Sequence, residues 1–463
     1  MEKYTLAVIG GGPAGYIAAI KGAQLGASVI LFEKDTLGGT CLNRGCIPAK
    51  TYIKGAEMIR HIKAAKQYGI VNDASFQIDL KQAVSNKNRV VNRLTGGVAA
   101  LLKSNNIKVV YGEASLETED TILCSGVEYR AEKIILCGGS KTIRIPVEGM
   151  EHKNVMTSDE ILDLQELPGR LSIIGGGVIG CEMATVFRSY GCEVVIIEAA
   201  GRILPQMDEE ISKGMEDAFR KKGIEVLTGK LVEKVVHTEK ESTIYCKGGK
   251  QIKTDKILLS IGRGADLSCL GKMKERIKTN NGKIVVNEYM RTNIANIFAA
   301  GDLNGKSMLA HAAFKMGVTA AKNALGAQVR CDLRQVPGCV YTLPEAAGIG
   351  MTEQEAAESN GRENILTGKF PFAANGRALA SGEDTGFVKV ITDKRYKEIL
   401  GVQIFGGLAT EMIAEAAAFM HGEIPADEAA EVIHAHPSYS EAIMEACADA
   451  CGMCMHLPGK KQK

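Results

Sequence analysis

Two apolar runs in this chain break off in the same way. TLAVI ends in GGGPAG, with Gly10, Gly12 and Gly15 spaced G-x-G-x-x-G, and LSII ends in GGGVIG, with Gly175, Gly177 and Gly180. Each pattern predicts a buried strand, a glycine turn and a helix. A second apolar strand then closes on an acid, SVILF before Glu33 and VVII before Glu198. Glu33 lies 23 residues after Gly10, Glu198 lies 23 after Gly175, and Gly26 matches Gly191 in the same register. A lone G-x-G-x-x-G is weak evidence, whereas two strand–glycine–helix–strand–acid units with equal spacing are strong.

Further along, residues 57–102 carry the amphipathic spacing of helices, and residues 107–147 read as short strands with turns. KIILCGGS ends in small residues, as expected where backbone passes close to a cofactor, with Cys137 as a packing residue. Residues 225–261 are again strand-rich and end in SIGR. NIFAAGD then sets Asp302 beyond a strand's carboxyl end, ahead of a helix opening at MLAHAA. Asp302 is either a cap or turn residue, or a grip on a sugar-alcohol chain. After Val336 the pattern changes to short antiparallel strands (VYTLPEAAGIGMT, KFPF, GFVKVITD, ILGVQIFG), with helices expected from Thr410 and Ser438. The fold class predicted is α/β, with two Rossmann-like dinucleotide-binding units followed by a separate α+β module.

The chemistry of the repeat is that of dinucleotide binding. The first glycine makes a tight turn, the second admits the pyrophosphate to the backbone, and the third packs helix on sheet. The helix N-terminus supplies the positive pole. An acid after the second strand accepts hydrogen bonds from a ribose and repels a 2′-phosphate, so Glu198 selects NAD over NADP. Arg202 is the one basic group placed to soften that choice.

Composition narrows the setting. The 463 residues leave room for about three cores, and 45% hydrophobic with 24% charged residues is ordinary for a globular protein. A balance of 56 basic to 54 acidic residues argues against a nucleic-acid partner. No apolar run reaches about 18 residues, so no membrane span is expected. The N-terminus enters a strand at once, which predicts no signal or transit segment and a cytoplasmic protein. Thirteen cysteines spread over the chain fit a reducing compartment.

One stretch stands apart. Gly38 to Lys50 reads GGTCLNRGCIPAK, with Cys41 and Cys46 five positions apart. In a regular helix that spacing is ~7.5 Å along the axis alone and faces different directions. A disulfide tolerates Cα atoms no more than about 7 Å apart. If the pair bridges, the backbone must leave the helix there, which Gly45 makes inexpensive. Pro48 then suits the first turn of a helix running past Lys50. The alternative is two buried thiols in a glycine-rich loop. Near the end, HAHPSYSEAIMEA places His436 before Pro437, in extended backbone. Ser438 and Glu441 have capping-box spacing, and the same glutamate suits orientation of a histidine general base. One oxygen can serve each purpose.

With these motifs assembled, the chain resembles the flavoprotein disulfide reductases from end to end, through GGGPAG, GGTCLNRGCIPAK, GGGVIGCE, FAAGD, MLAH, YTLPE and HAHPSYSEA. Within them it is most similar to the branch that uses NAD and lipoamide, since Glu198 and Ile179 stand where glutathione reductases carry basic residues and tyrosine. The resemblance implies FAD in the first unit and NAD in the second. It implies Cys46 facing the flavin as a charge-transfer thiolate, Cys41 exchanging with substrate, His436 moving protons, Glu441 orienting it, and Lys50 paired with Glu182 near the flavin's reactive edge. Gly10, Gly12, Gly15, Glu33, Gly39, Thr40, Lys50, Gly112, Ala114, Gly138, Asp302 and Ala310 would contact FAD. Gly175, Gly177, Gly180, Ile179, Glu198 and Gly262 would contact NAD, and no metal is implied. Arg44 and Ala49 are small departures within the cysteine segment.

The implied organisation is an FAD-binding domain (1–145), an NAD-binding domain (146–266), a central segment completing the FAD site (267–335) and a dimerisation domain (336–463). The partners implied are a second copy of the chain, in a homodimer with His436 acting on the other subunit's disulfide, and a lipoyl-bearing protein of a multienzyme complex. The activity implied is oxidation of protein-bound dihydrolipoamide with reduction of NAD. The rivals are an NADH-dependent reductase of a glutathione- or coenzyme-A-like disulfide, a mercuric-reductase-like enzyme, and a flavin-bearing sensor without turnover. Cys451 and Cys454 lie inside the shared C-terminal segment. With Ile443 and Cys447 they repeat at i, i+4, i+8 and i+11, so they are read as one packed helix face, the alternative being a second redox or metal role.

Overall fold

The computed structural model describes residues 2–71 and 75–458. Both glycine-ended runs form as expected. The first gives strand β1 (Lys3–Ile9), helix α1 (Pro13–Gln24) and strand β2 (Val29–Glu33). β2 is buried at every position, as a strand covered on both faces of a parallel sheet must be. The first sheet runs Lys108–Tyr111, β2, β1, Val127–Leu136, Thr121–Cys124, Ala114–Leu116. The late strand Ile297–Ala299 returns to it, parallel to Val127–Leu136. Helix Ala310–Ala324 then packs on α1 so closely that a Cβ on Gly317 would strike the Ala14 carbonyl.

The second sheet is parallel throughout, ordered Ile224–Leu227, Glu193–Ile197, Arg170–Ile174, Lys256–Leu259, Val155–Thr157. A small antiparallel sheet (232–237, 242–246, 251–254) covers it. The chain crosses between the first and second sheets along Ser140–Thr142 and back along Arg263–Ala265, and these two crossings pair antiparallel.

The third sheet is antiparallel: Gly338–Val340, Glu345–Gly350, Ile399–Gly406, Phe387–Asp393, Ile365–Pro371. Helices Ala409–His421 and Glu441–Ala450 back it. An additional helix, Glu353–Asn360, starts at a complete capping box of Thr352 and Glu355, a local signal that the strand reading of that stretch passed over. The third sheet is fastened to the second unit by a buried cation. Lys389, only 2% exposed in mid-strand, donates to Asp208 Oδ1 at 2.7 Å and Glu353 Oε2 at 3.0 Å.

Two expectations at the C-terminus change. The last helix begins at Glu441 instead of Ser438 and ends at Ala450, where Gly452 turns the chain at φ 73°. Ile443 and Cys447 lie on its buried face, but Cys451 caps it and Cys454 falls beyond it. All four still meet one core, with Cys451 and Cys454 partly buried at its edge. No helix among the described residues is long and apolar enough to cross a membrane.

Candidate active site

The cysteine segment is built as two helices with a joint between them. α2 (Gly39–Arg44) carries Cys41, α3 (Cys46–Ala64) begins at Cys46, and Gly45 between them is non-helical at φ −141°, ψ −110°. The predicted break therefore falls at the glycine. Entry to α2 needs glycine twice, at Gly38 (φ 93°) and Gly39 (φ 56°). A Cβ on Gly39 would come 2.6 Å from Gly12 Cα, so the segment rests directly on the first glycine turn. Arg44 pairs with Asp35 at the surface and Ala49 is buried in the core.

Both sulfurs are free thiols here, half-buried and unlike each other. A hydrogen bond from Cys41 is the main influence that lowers Cys46 to about 7; burial opposes it and the Lys50 cation assists. Cys41 moves far the other way, through that same hydrogen bond, burial and the charge of Cys46. The fold thus favours one thiolate at Cys46 and one thiol at Cys41, the asymmetry that thiol–disulfide exchange requires. Lys50 sits one turn after Cys46 on the same face of α3. Its Nζ lies 2.9 and 3.0 Å from the two oxygens of Glu182, on the helix that follows the second glycine turn. Tyr341 completes this pair, donating its N–H to Glu182 Oε1 at 3.1 Å with its ring 4.3 Å from Lys50 Nζ. Nothing in the local pattern pointed to Tyr341, although YTLPE was a recognisable motif.

The two nucleotide turns are near copies. Glu33 accepts from Gly11 N–H at 2.7 Å and Asp35 N–H at 2.8 Å; Glu198 accepts from Gly176 N–H at 2.6 Å and Ala200 N–H at 2.7 Å. A Cβ on Gly10 would strike the Cys137 carbonyl and one on Gly15 the Gly10 carbonyl; Gly180 is barred likewise by Gly175. Gly12 and Gly177 face space: the nearest atom to a Cβ is 3.7 Å away for Gly12, and none lies within 4 Å for Gly177. Neither following helix has a side-chain cap at its N-terminus. Open space before a helix N-terminus that no side chain caps fits a pyrophosphate at both places. Arg202 donates to the Pro205 and Met207 carbonyls, so its charge is committed to its own loop.

The remaining candidates frame these turns. Gly112 donates to the Glu33 carbonyl at 2.9 Å, Ala114 opens a short buried strand, and Gly138 follows the strand beside β1. Ala310 begins its helix, Ile179 is half-buried, and Gly262 accepts from Ile143 N–H at 3.1 Å. Asp302 lies on a 3-10 turn, where Oδ2 accepts from Ser140 Oγ at 2.6 Å.

His436 is elsewhere. Its side chain is 79% exposed, and no hydrogen bond among the described residues joins it to either cysteine. Its Nδ1 lies 2.8 Å from Glu441 Oε1, which places the proton on Nδ1 and leaves Nε2 free as a base. Glu441 Oε2 accepts from Ser438 N–H at 2.7 Å. Only that half of the capping box forms: the buried Ser438 hydroxyl has no hydrogen-bond partner among the described residues. Burial works to raise the Glu441 carboxyl, but the Ser438 N–H and His436 outweigh it and hold it below the usual range. Cys454 instead donates to Glu445 at 3.0 Å and is pushed up to about 11 by burial and that bond. Among the described residues no group of His, Cys, Asp and Glu is disposed to hold a metal ion.

The chain is similar to known proteins over nearly its whole length. The pyridine nucleotide-disulphide oxidoreductase family matches residues 4–317, and the dimerisation domain of such proteins matches residues 336–447. A dihydrolipoyl dehydrogenase of Bacillus subtilis (strain 168) is 41% identical over 459 residues, spanning 98% of this chain and 100% of that protein. Another, of Thermus scotoductus (strain ATCC 700910 / SA-01), is 38% identical and covers 99% of each. The HOCl-induced flavoprotein disulfide reductase RclA of Escherichia coli has a solved structure that superposes with a TM-score of 0.87 at 30% identity, over 96% of this chain and 99% of that one.

Proposed function

This chain belongs to the pyridine nucleotide-disulphide oxidoreductase family, and on that footing we propose how its residues divide the work of its reaction. It oxidises protein-bound dihydrolipoamide to lipoamide with reduction of NAD, using FAD. The observation that carries the division is the unequal thiol pair, with Cys46 lowered to about 7 beside Lys50 while Cys41 is raised.

Cys41 is the sulfur that meets substrate. A dihydrolipoamide thiolate attacks it in the oxidised pair, forming a mixed disulfide and breaking the Cys41–Cys46 bond, so that Cys46 leaves as thiolate. The second lipoyl thiol then closes the lipoamide disulfide and releases Cys41. His436 Nε2 takes the protons, held to that task by Glu441, and acts on the disulfide of the other subunit in a homodimer. FAD, when bound, supplies the two-electron acceptor between the reduced cysteines and NAD. Lys50 and Glu182 hold charge beside it. The glycines and acids of the two turns bind FAD first (with Gly39, Thr40, Asp302 and Ala310) and NAD second (with Ile179 and Gly262). Residues 1–145 with 267–335 hold FAD, 146–266 hold NAD, and 336–463 form the dimer; the enzyme works in the cytoplasm on a lipoyl domain borne by another protein.

Steady-state NAD reduction by dihydrolipoamide, run beside NADPH with oxidised glutathione, tests this. Fast NAD-specific turnover supports it. A flavin reducible by NADH without lipoamide turnover would direct the same cysteines to another disulfide.

A further inference from the structure

Arg263 closes the SIGR motif. Its guanidinium, with a side chain 15% exposed, spends all five N–H donors on named acceptors. Nε donates to Ser140 Oγ at 2.9 Å; Nη1 donates to Thr142 Oγ1 at 3.2 Å and Asp159 Oδ1 at 3.4 Å; Nη2 donates to the Ser140 carbonyl at 2.8 Å and Thr40 Oγ1 at 3.4 Å. Ser140 Oγ in turn donates to Asp302 Oδ2 at 2.6 Å.

These acceptors come from every part that must stay in register. Thr40 precedes Cys41, Asp302 sits on the flavin side, and Asp159 belongs to the helical turn after the first strand of the second unit. Ser140 and Thr142 are on the outgoing crossing between the sheets, and Arg263 is on the returning one. That ribbon has only three residue pairs, too few to be rigid through its backbone alone. Rotation of the nicotinamide unit against the flavin unit has to bend it.

We propose that Arg263 is a positioning residue that clamps the ribbon, and through Ser140 and Thr40 sets the nicotinamide unit against the flavin side and the redox cysteines. The inference rests on the reading of Asp302 and Thr40 as flavin-side residues. The planar fork is essential to it, because a lysine brings one point charge and cannot address Oγ, carbonyl and carboxylate groups in different directions.

The test compares parent, Arg263→Met and Arg263→Lys as full-length, flavin-loaded proteins. It uses NADH-to-dye transfer, which needs no disulfide substrate, together with amide hydrogen exchange over residues 139–143 and 262–266. Misplacement of reactants by about 1 Å costs up to a hundredfold in rate, so both variants should lose about tenfold or more in kcat, with KM for NADH within about threefold. Exchange over the ribbon should rise in both. Unchanged exchange with kcat within about twofold of parent overturns the proposal, as does full recovery in Arg263→Lys. If Arg263→Met does not fold, Ser140→Ala removes the Nε acceptor and the Asp302 donor alone, and must shift both readings in the same direction. A parent that transfers electrons to dye but not from dihydrolipoamide sinks the proposed substrate, while Arg263 is still judged by the dye.

Discussion

Lys50 and Glu182 lie 132 residues apart and meet through both carboxylate oxygens, at 2.9 and 3.0 Å. Glu182 is 3% exposed and the lysine cation also lowers Cys46, so one side chain neutralises a buried acid and supports a thiolate. Lys50→Met should raise the Cys46 titration above about 7 and slow its alkylation at neutral pH. An unchanged midpoint would remove Lys50 from the thiol's environment. Lipoamide turnover in the variant should drop by about tenfold or more.

The pair should titrate in a defined direction. Cys46 is lowered from 9.0 to about 7, so its thiolate forms as pH rises through about 7 and is lost below it. Alkylation of the reduced enzyme should therefore follow a midpoint near 7 at Cys46, while Cys41 stays protonated well above that. Peptide mapping of the alkylated site across pH reads both. Preferential labelling of Cys41 at pH 7 would reverse the assignment of roles.

His436→Gln should cost about 10²- to 10⁴-fold in lipoamide turnover, the range of general acid–base catalysis, and leave NADH-to-dye transfer near the parent rate. Glu441→Gln keeps a hydrogen-bond acceptor and should cost less than the histidine change. Equal losses of both activities would mean that the two residues support structure instead of proton transfer.

On the proposed reading Glu198 selects the nucleotide, and Arg202 does not compete with it, being held by the Pro205 and Met207 carbonyls. Hydrogen bonds to a charged group are worth about 1.5–3 kcal/mol, so Glu198→Gln should raise KM for NAD by about 10- to 100-fold. Discrimination against NADP should narrow at the same time. A variant with unaltered preference would place the selection elsewhere.

Lys389→Met should leave the buried Asp208 without its cation, while Glu353 keeps Arg362 and Glu210 keeps Lys369. Removing one partner of a buried ion pair costs about 3–5 kcal/mol. The loss should appear in denaturant unfolding, and a double change with Asp208→Asn should recover part of it.

What the chain revealed in advance was whatever depends on short spacing. Both glycine turns, the acids that buttress them, the break at Gly45 and the dual use of Glu441 each involve residues within one or two elements, so local pattern sufficed. Contacts across the sheets were not legible in the same way. Tyr341 on Glu182, Lys389 on Asp208 and Arg263 on Ser140 join residues more than a hundred positions apart, and no periodicity encodes such meetings. The face drawn through Ile443, Cys447, Cys451 and Cys454 failed at its end for a local reason. Gly452 adopts a left-handed turn that stops the helix before the period is complete.

The contact of Gly39 with Gly12 reaches into how this chain can vary. A methyl at position 39 would land 2.6 Å from Gly12 Cα, in backbone that a dinucleotide phosphate would approach. The cysteine segment and the first glycine turn are therefore fitted to each other through backbone. A side chain at position 39 must displace the backbone of that turn, so the two segments can shift only together.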